Sequence, residues 1–305
     1  MKDTILVSGL INIETTLRIT EFPLEYYPVT YPFFGVNSSV SGVGYNLAKA
    51  LTVLGDNVRF LSLIGKDIAA QQVRTKLIED NIPWKYVLSQ LDQTAQSVIL
   101  YDGTGRRQIH TDLKDIQEQA FPPEMFDQAL NDAKICVLCN INFSRPLLAR
   151  ANKAGRVVAT DVHAIADLDD AYNRDFMQAA TILFMSDDKL PSPPEEWMRR
   201  IWNRYPAEVV VIGMGKNGAL LGLRDGQQME RIPAVTTRPV VNTIGAGDAL
   251  FASFLHGYVH SADAYASLRK AVVFASYKIG AVSAADGFLT AQELDSLAVD
   301  IYRMR

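Results

Sequence analysis

Asn242-Thr-Ile-Gly-Ala-Gly-Asp-Ala-Leu-Phe251 is the stretch from which the rest of this 305-residue chain can be read. Gly245, Ala246 and Gly247 precede an acid, Asp248. A strongly apolar run then continues to about His260, with Gly257 as its first helix breaker. The pattern predicts a glycine-rich turn feeding the N-terminus of a buried helix. Such a turn leaves backbone N–H groups unpaired at the positive end of the helix dipole, where an anion is stabilised. A carboxylate beside it can accept a proton. A second reading of the same residues stands next to this one: the glycines make a tight turn and Asp248 caps the helix.

Outward from that turn, apolar runs alternate with helical patterns. Residues 5–10, 58–64, 135–138, 157–160, 182–185 and 209–212 read as strands buried on both faces. Between them, residues 45–54, 69–80, 125–133, 146–154, 170–179 and 195–204 are amphipathic, and Gly55, Asn81 and Gly155 stand where helix C-caps belong. Helices 264–277 and 290–302 close the chain around a small-residue loop, 280–287. Repeated strand–helix–strand units give an α/β fold: three layers, a mostly parallel sheet with helices on both faces. Ligands in such sheets bind at the carboxyl ends of the strands. Two β-type segments interrupt the rhythm, within about 13–40 and 94–111, the second a hairpin around Asp102-Gly-Thr-Gly105. Together they can form a small β lid. With no linker or repeat, residues 1–305 read as one domain.

The bulk properties narrow the function. Apolar residues make up 48% of the chain and charged residues 21%, which suits a globular enzyme. A formal charge of −4 without a Lys/Arg run offers nothing to nucleic acid or an anionic membrane surface. No apolar stretch approaches the ~20 residues that span a bilayer. The first residues enter a strand pattern without a signal-peptide layout, so the expected location is cytoplasmic.

Individual motifs carry more. Gly213-Met-Gly-Lys-Asn-Gly218 spells a dinucleotide fingerprint, but residues 219–223 read as a strand entering a hairpin. With no helix N-terminus for a pyrophosphate, nicotinamide binding is excluded and the loop is kept as a nucleotide contact. Ser41-Gly-Val-Gly-Tyr-Asn46 leads into a helix, its glycines allowing close approach of a ligand. Asn12 and Glu14 follow the first strand and share a side, where an amide and a carboxylate can grip paired hydroxyls. Asp161 and His163 sit similarly after residues 157–160. The four histidines look scattered, without metal-ligand spacing. Cys136-Val-Leu-Cys139 formally spells C-x-x-C, but on a strand the two thiols point to opposite faces, so both read as buried structural groups. Hydrolase motifs are absent, and the Asn37 sequon has no secretion signal to give it meaning.

Taken in order, Gly9…Asn12-x-Glu14, Ser41-Gly-x-Gly-x-Asn46…Gly55, the hairpin, Gly213-x-Gly-x-x-Gly218 and Asn242-Thr-x-Gly-Ala-Gly-Asp248 resemble the ribokinase-like (PfkB) carbohydrate kinases over nearly the whole chain. The resemblance implies an ATP- and Mg²⁺-dependent kinase phosphorylating a primary hydroxyl of a sugar or sugar-like molecule. Asp248 would be the general base, and Gly245, Ala246 and Gly247 the anion hole. Asn12, Glu14, Gly42, Asn46 and Asn142 would hold the substrate. Gly213, Gly215, Gly218, Thr243 and Ala275 would border the nucleotide. Such a site suits phosphoryl transfer, which needs positioning and charge stabilisation. A lid would exclude water, and lids of two subunits can pair into a homodimer.

The departures from the family pattern are specific. Asn242 stands where the family usually has Asp, a position tied to a monovalent cation in some members, so potassium activation is an open expectation. Glu14 replaces the usual Asp, Ser41 the first of two glycines, and Val43 a frequent Lys. Ser186-Asp-Asp-Lys189 stands for the magnesium-linked Asn-x-x-Glu motif, leaving Asp187 or Asp188 to substitute. Tyr26, Tyr27, Tyr31, Phe33 and Phe34 allow a nucleoside kinase of the same fold, with rings stacking on a base, or else form the lid's own core or a dimer contact. A non-catalytic sugar- or nucleotide-binding protein is the third reading.

Overall fold

The β-branched and aliphatic runs pair into a nine-stranded sheet in the computed structural model, which describes residues 3–303. Its strands are β1 (Thr4–Ser8), β4 (Asn57–Ile64), β5 (Tyr86–Ser89), β8 (Ala133–Leu138), β9 (Val157–Asp161), β10 (Ile182–Ser186), β11 (Val209–Gly213), β12 (Ala219–Leu223) and β13 (Gln228–Ile232). Their spatial order is β13-β12-β11-β10-β9-β8-β1-β4-β5, parallel except for the β12 and β13 hairpin at one edge. Alternation divides the strands between two cores: Ile5 and Val7 face one, Leu6 the other.

The first core lies under α1 (Val43–Val53), α2 (Ile68–Glu79), α7 (Ala246–Ser261), α8 (Ala264–Lys278) and α9 (Ala291–Arg303). The second lies under α3 (Pro123–Leu130), α4 (Arg145–Lys153), α5 (Arg174–Ala179) and α6 (Pro194–Arg204). Cys136 belongs to the second core and Cys139 to the first, so the two free thiols are on opposite faces as expected. Burial pushes the Cys136 thiol up to about 12, which keeps it protonated and inert. Asn81, Gly55 and Gly155 take the positive-φ conformation at helix ends.

The interrupting segments form a second, four-stranded sheet in the order β3-β2-β6-β7: β3 (Val36–Ser41), β2 (Asn12–Arg18), β6 (Gln96–Tyr101) and β7 (Arg107–Asp112). The turn at Asp102 is locked by its own carboxylate, which accepts from the Thr104 and Arg106 N–H groups at 2.9 and 3.1 Å. This small sheet is seated on the large one through Ile99, Ile244 and Ala284, an apolar cluster that joins β6 to the turn before α7.

Several expectations shift. The first strand ends at Ser8, not at residue 10, and Asn12 and Glu14 lie on a separate strand, β2. The helix expected from residue 170 begins at Arg174, because Asp167 and Asp170 bond the N–H groups of Asp169 and Tyr172 and hold that segment in turns. Tyr26, Tyr31, Phe33 and Phe34 are each more than three-quarters exposed, so they are not the core of the small sheet. No helix among the described residues is long and apolar enough to cross a membrane.

Candidate active site

The α7 N-terminus is built around Gly245, whose φ of 75° and ψ of 9° are left-handed and whose Cβ, if present, would lie 2.6 Å from the Ala284 carbonyl oxygen. Glycine is therefore required to start this helix. The Ala246 N–H bonds back to the Thr243 carbonyl at 3.2 Å, whereas the N–H groups of Gly247 and Asp248 have no hydrogen-bond partner among the described residues. Gly247 is exposed, and a Cβ on it would meet nothing within 4 Å. Asp248 does not cap the helix: its Oδ2 accepts from Asn46 Nδ2 at 2.7 Å.

Asn46 is placed by Gly42. That residue has φ 108°, and a Cβ on it would be 2.7 Å from the Leu10 carbonyl oxygen. The close approach is thus to the chain's own backbone after β1. It lets α1 start at Val43, which puts Asn46 in the first helical turn and not in the loop before it. From Asn46 a polar chain runs into the small sheet. Ser41 Oγ lies 3.4 Å from Asn46 Oδ1 and 3.1 Å from Glu14 Oε2, so its single proton serves one or the other. Asn12 Nδ2 donates to Ser97 Oγ at 2.9 Å. Alternation puts Asn12, Glu14 and Thr16 on one buried face of β2, and on that face Asn12 Oδ1, Glu14 Oε1 and Thr16 Oγ1 lack protein partners. Buried polar atoms without partners are uncommon and call for an explanation.

Charge is concentrated here. Burial raises the Asp248 carboxyl above the usual carboxylate range, and Asp161 adds to this, while the Asn46 hydrogen bond, His163 and Lys278 pull it back. Burial likewise raises Glu14, helped by Asp248 and opposed by Ser41 and Lys278. Lys278, at the end of α8, is fully buried, and its Nζ donates to the Ile244 carbonyl. Arg107 of β7 reaches Thr243 Oγ1 at 2.7 Å, bringing a guanidinium from the small sheet to the turn.

The structure thus joins Glu14, through Ser41 and Asn46, to Asp248, with Asn12 beside Glu14 on the same face of β2 and Thr243 and Gly245 in the turn that begins α7. Gly213 lies against Leu250 of α7, where a Cβ would be 3.7 Å away, and Gly215 to Asn217 form a single 3-10 turn before β12, with no helix. Gly218 ends that turn, and Ala275 sits half-buried on α8. Asp187 donates its N–H to the Gly213 carbonyl at 3.0 Å, next to that loop, and Asp188 follows it. Burial and the Asp188 charge raise the Asp187 carboxyl. Asn142 is not joined to this network: its amide donates to the Gln117 carbonyl and accepts from Arg145. Asn242 donates to the Ala281 and Val282 carbonyls at 3.3 and 2.6 Å and accepts from the Ile244 N–H at 3.0 Å.

Sequence reasoning missed Lys278, Arg107, Ser97 and Thr16. A lysine ending an otherwise apolar helix face was the one available signal. It also misread the histidines: His256 and His260 stand one turn apart on α7 and meet Asp56.

A mostly parallel α/β sheet with a glycine turn that feeds a helix N-terminus and sets a carboxylate beside it is suited to holding an anion next to a base. The pfkB family carbohydrate kinase model matches residues 2–291, and the chain belongs to that family: it is a phosphotransferase with an alcohol group as acceptor. It is 25% identical over 277 residues to the acarbose 7(IV)-phosphotransferase of Actinoplanes sp., covering 90% of this chain and 91% of that protein. It is 27% identical over 289 residues to a deoxyribokinase of Salmonella typhi, covering 90% and 92%. The solved structure of a microbiome-derived acarbose kinase superposes with a TM-score of 0.88 at 24% identity, covering 98% of this chain and 99% of that one. The family implies use of ATP, usually with Mg²⁺.

Proposed function

We propose that the chain transfers the γ-phosphoryl group of ATP to a primary hydroxyl of a sugar or sugar-like small molecule. The observation that carries this reading is the polar path from the unpartnered face of β2 through Ser41 and Asn46 to Asp248. Asn12 Oδ1, Glu14 Oε1 and Thr16 Oγ1 have the chemistry to bind several hydroxyls of one ligand, and a polyol satisfies them as no apolar ligand would. Asp248 takes the proton of the attacking hydroxyl. A carboxylate raised by burial is a better base than an exposed one.

The free N–H groups of Gly247 and Asp248 fit a phosphate, and with Gly245 they form the anion hole, with Ala246 setting the turn. The loop Gly213, Gly215, Gly218 and the Ala275 face of α8 border the nucleotide. Magnesium, which neutralises phosphate charge, would be held by Asp187 or Asp188. The small sheet closes over the site as a lid, excluding water that would otherwise intercept the phosphoryl group. Its exposed aromatic loop and unpaired edge strands suit a homodimer contact with a second copy of the chain.

ADP release coupled to a reporter, across a panel of monosaccharides, oligosaccharides and nucleosides, tests the reading. Turnover on a sugar is expected. Binding of ATP and a sugar with no turnover would establish a binding protein instead, and turnover on nucleosides alone would replace the sugar with a nucleoside.

A further inference from the structure

Lysine is almost never wholly buried without a partner charge, yet Lys278 is fully buried and no carboxylate among the described residues lies within ion-pair distance of it. Its ammonium donates to the Ile244 carbonyl. Ile244 is also held from its other side, where its N–H bonds to Asn242 Oδ1. Asn242 in turn points its amide hydrogens at the Ala281 and Val282 carbonyls. A metal cation needs oxygens aimed inward and a carboxylate to balance it. Here the carbonyls that would face an ion are occupied by an amide and an ammonium. Resting on the kinase reading above, we infer that Lys278 is a built-in monovalent cation, which positions the Ile244–Gly247 turn for the transferring phosphate and makes an added potassium ion unnecessary.

The surrounding charges agree. Burial lowers Lys278 to about 8, opposed by Asp248 of α7, Asp286 of the 280–287 loop and Glu14 of β2, and reinforced by Arg107 of β7. A methionine would fill the volume without the cost of burying a charge. An ammonium held at that cost behind an anion hole acts through charge.

The test compares potassium, ammonium and choline chlorides at equal ionic strength. Wild-type turnover should agree within about 2-fold in all three. Lys278→Met should lose about 10²-fold in every salt, the scale of one lost stabiliser of developing charge. Lys278→Ala should lose as much in choline and regain about 10-fold in potassium or ammonium, more so when combined with Asn242→Asp. Potassium dependence of the wild type, a variant that keeps full activity, or a loss in Lys278→Ala equally deep in every salt overturns the inference. Thermal midpoints in the same salts give a readout apart from turnover, because potassium should stabilise Lys278→Ala selectively. That stabilisation without any wild-type turnover would defeat the kinase reading and leave the cation site standing.

An independent cluster lies at the far end of α7. Asp56, in the turn between α1 and β4, divides its carboxylate between His256 Nδ1 at 2.9 Å and His260 Nε2 at 2.8 Å, and the three ligand atoms lie within 4.8 Å of one another. The Asp56 side chain is 1% exposed, and its ion-pair partners among the described residues are these two histidines. Two imidazoles from one helical face, one carboxylate and an open side form a donor set for Zn²⁺. Metal–ligand distances of about 2.0–2.2 Å need side-chain shifts of about 1 Å.

The geometry points to a zinc site that clamps α1 to α7, the helices carrying Asn46 and Asp248. Its histidines lie ~12 and ~18 Å along α7 from Asp248, too far to touch the reaction. Chelator-stripped, tag-free protein should bind one equivalent of Zn²⁺ by calorimetry and gain thermal stability. Both should vanish in His260→Ala and His256→Gln, and persist in His110→Ala. Melting of the metal-free variants shows that they fold. Absence of stoichiometric binding, or binding unchanged in both histidine variants, overturns the site.

Discussion

At Gly245–Asp248 the site is made largely of main chain: a left-handed glycine, two N–H groups without partners among the described residues, and a carboxylate on the second of those residues. On β2 it is made of side chains: Asn12, Glu14 and Thr16, each with a buried atom lacking a protein partner. In the proposed reaction the first region would handle a phosphoryl group, which is the same whatever the acceptor. The second would handle the acceptor, whose hydroxyls differ from one sugar to another. The difference separates chemistry from specificity, and it predicts that damage to the two regions shows up in different kinetic constants.

The largest effect is expected from breaking the main-chain region. Gly245→Val places a branched side chain at positive φ against the Ala284 carbonyl and should lower kcat about 10²–10³-fold, the scale of a lost anion-hole donor, and lower the thermal midpoint as well.

Glu14→Gln should act on the other side of the comparison. KM for the sugar should rise about 10-fold, as for a lost charged hydrogen bond, with kcat changing less. Stability should move the opposite way. The folded carboxyl of Glu14 is raised above its unfolded value, so holding it ionised opposes folding at any pH above that unfolded value, and the penalty is fully developed above the raised one. The neutral amide escapes it, so the variant should melt at a higher temperature at neutral pH.

The pH profile separates the regions a third time. Activity should fall as pH drops through the raised carboxyl range of Asp248, and fall again as pH rises through about 8, where Lys278 loses its proton. Lys278→Met should abolish the alkaline limb and spare the acid one. The smallest effect is expected from Asn142→Ala. Its amide serves Gln117 and Arg145, so kcat/KM should stay within about 2-fold of wild type.

Which parts were legible in the sequence follows the same division. The strands, their alternation between two cores, and the glycine turn before α7 are local patterns, each contained in a short run of residues. The carboxylate Asp248 announces itself because the turn and the apolar helix adjoin it. Asn46 pairs with it from 202 positions away, and Ser97 meets Asn12 across 85, so no window of sequence contains those contacts. Alternation and the glycine turn brought Glu14 and Asn46 into view one at a time, and only the family resemblance joined them to Asp248 in one site. Lys278 was hidden because a single lysine ending a helix ordinarily reaches solvent. His256 and His260 looked scattered because their partner, Asp56, is 200 positions from His256. Asn142 shows the converse, a residue whose place after a strand suggested substrate but whose neighbours claim its amide.

The central claim is that Asp248 acts as a base and not as a structural cap. Rapid-quench measurement of a single turnover with Asp248→Asn, alongside calorimetric titration of ATP and sugar, tests it most directly. The account predicts a phosphoryl-transfer rate reduced about 10²–10⁴-fold with ligand affinities within a few-fold of wild type and no loss of thermal stability. Transfer at the wild-type rate, or a rate loss fully matched by lost folding or binding, would contradict it.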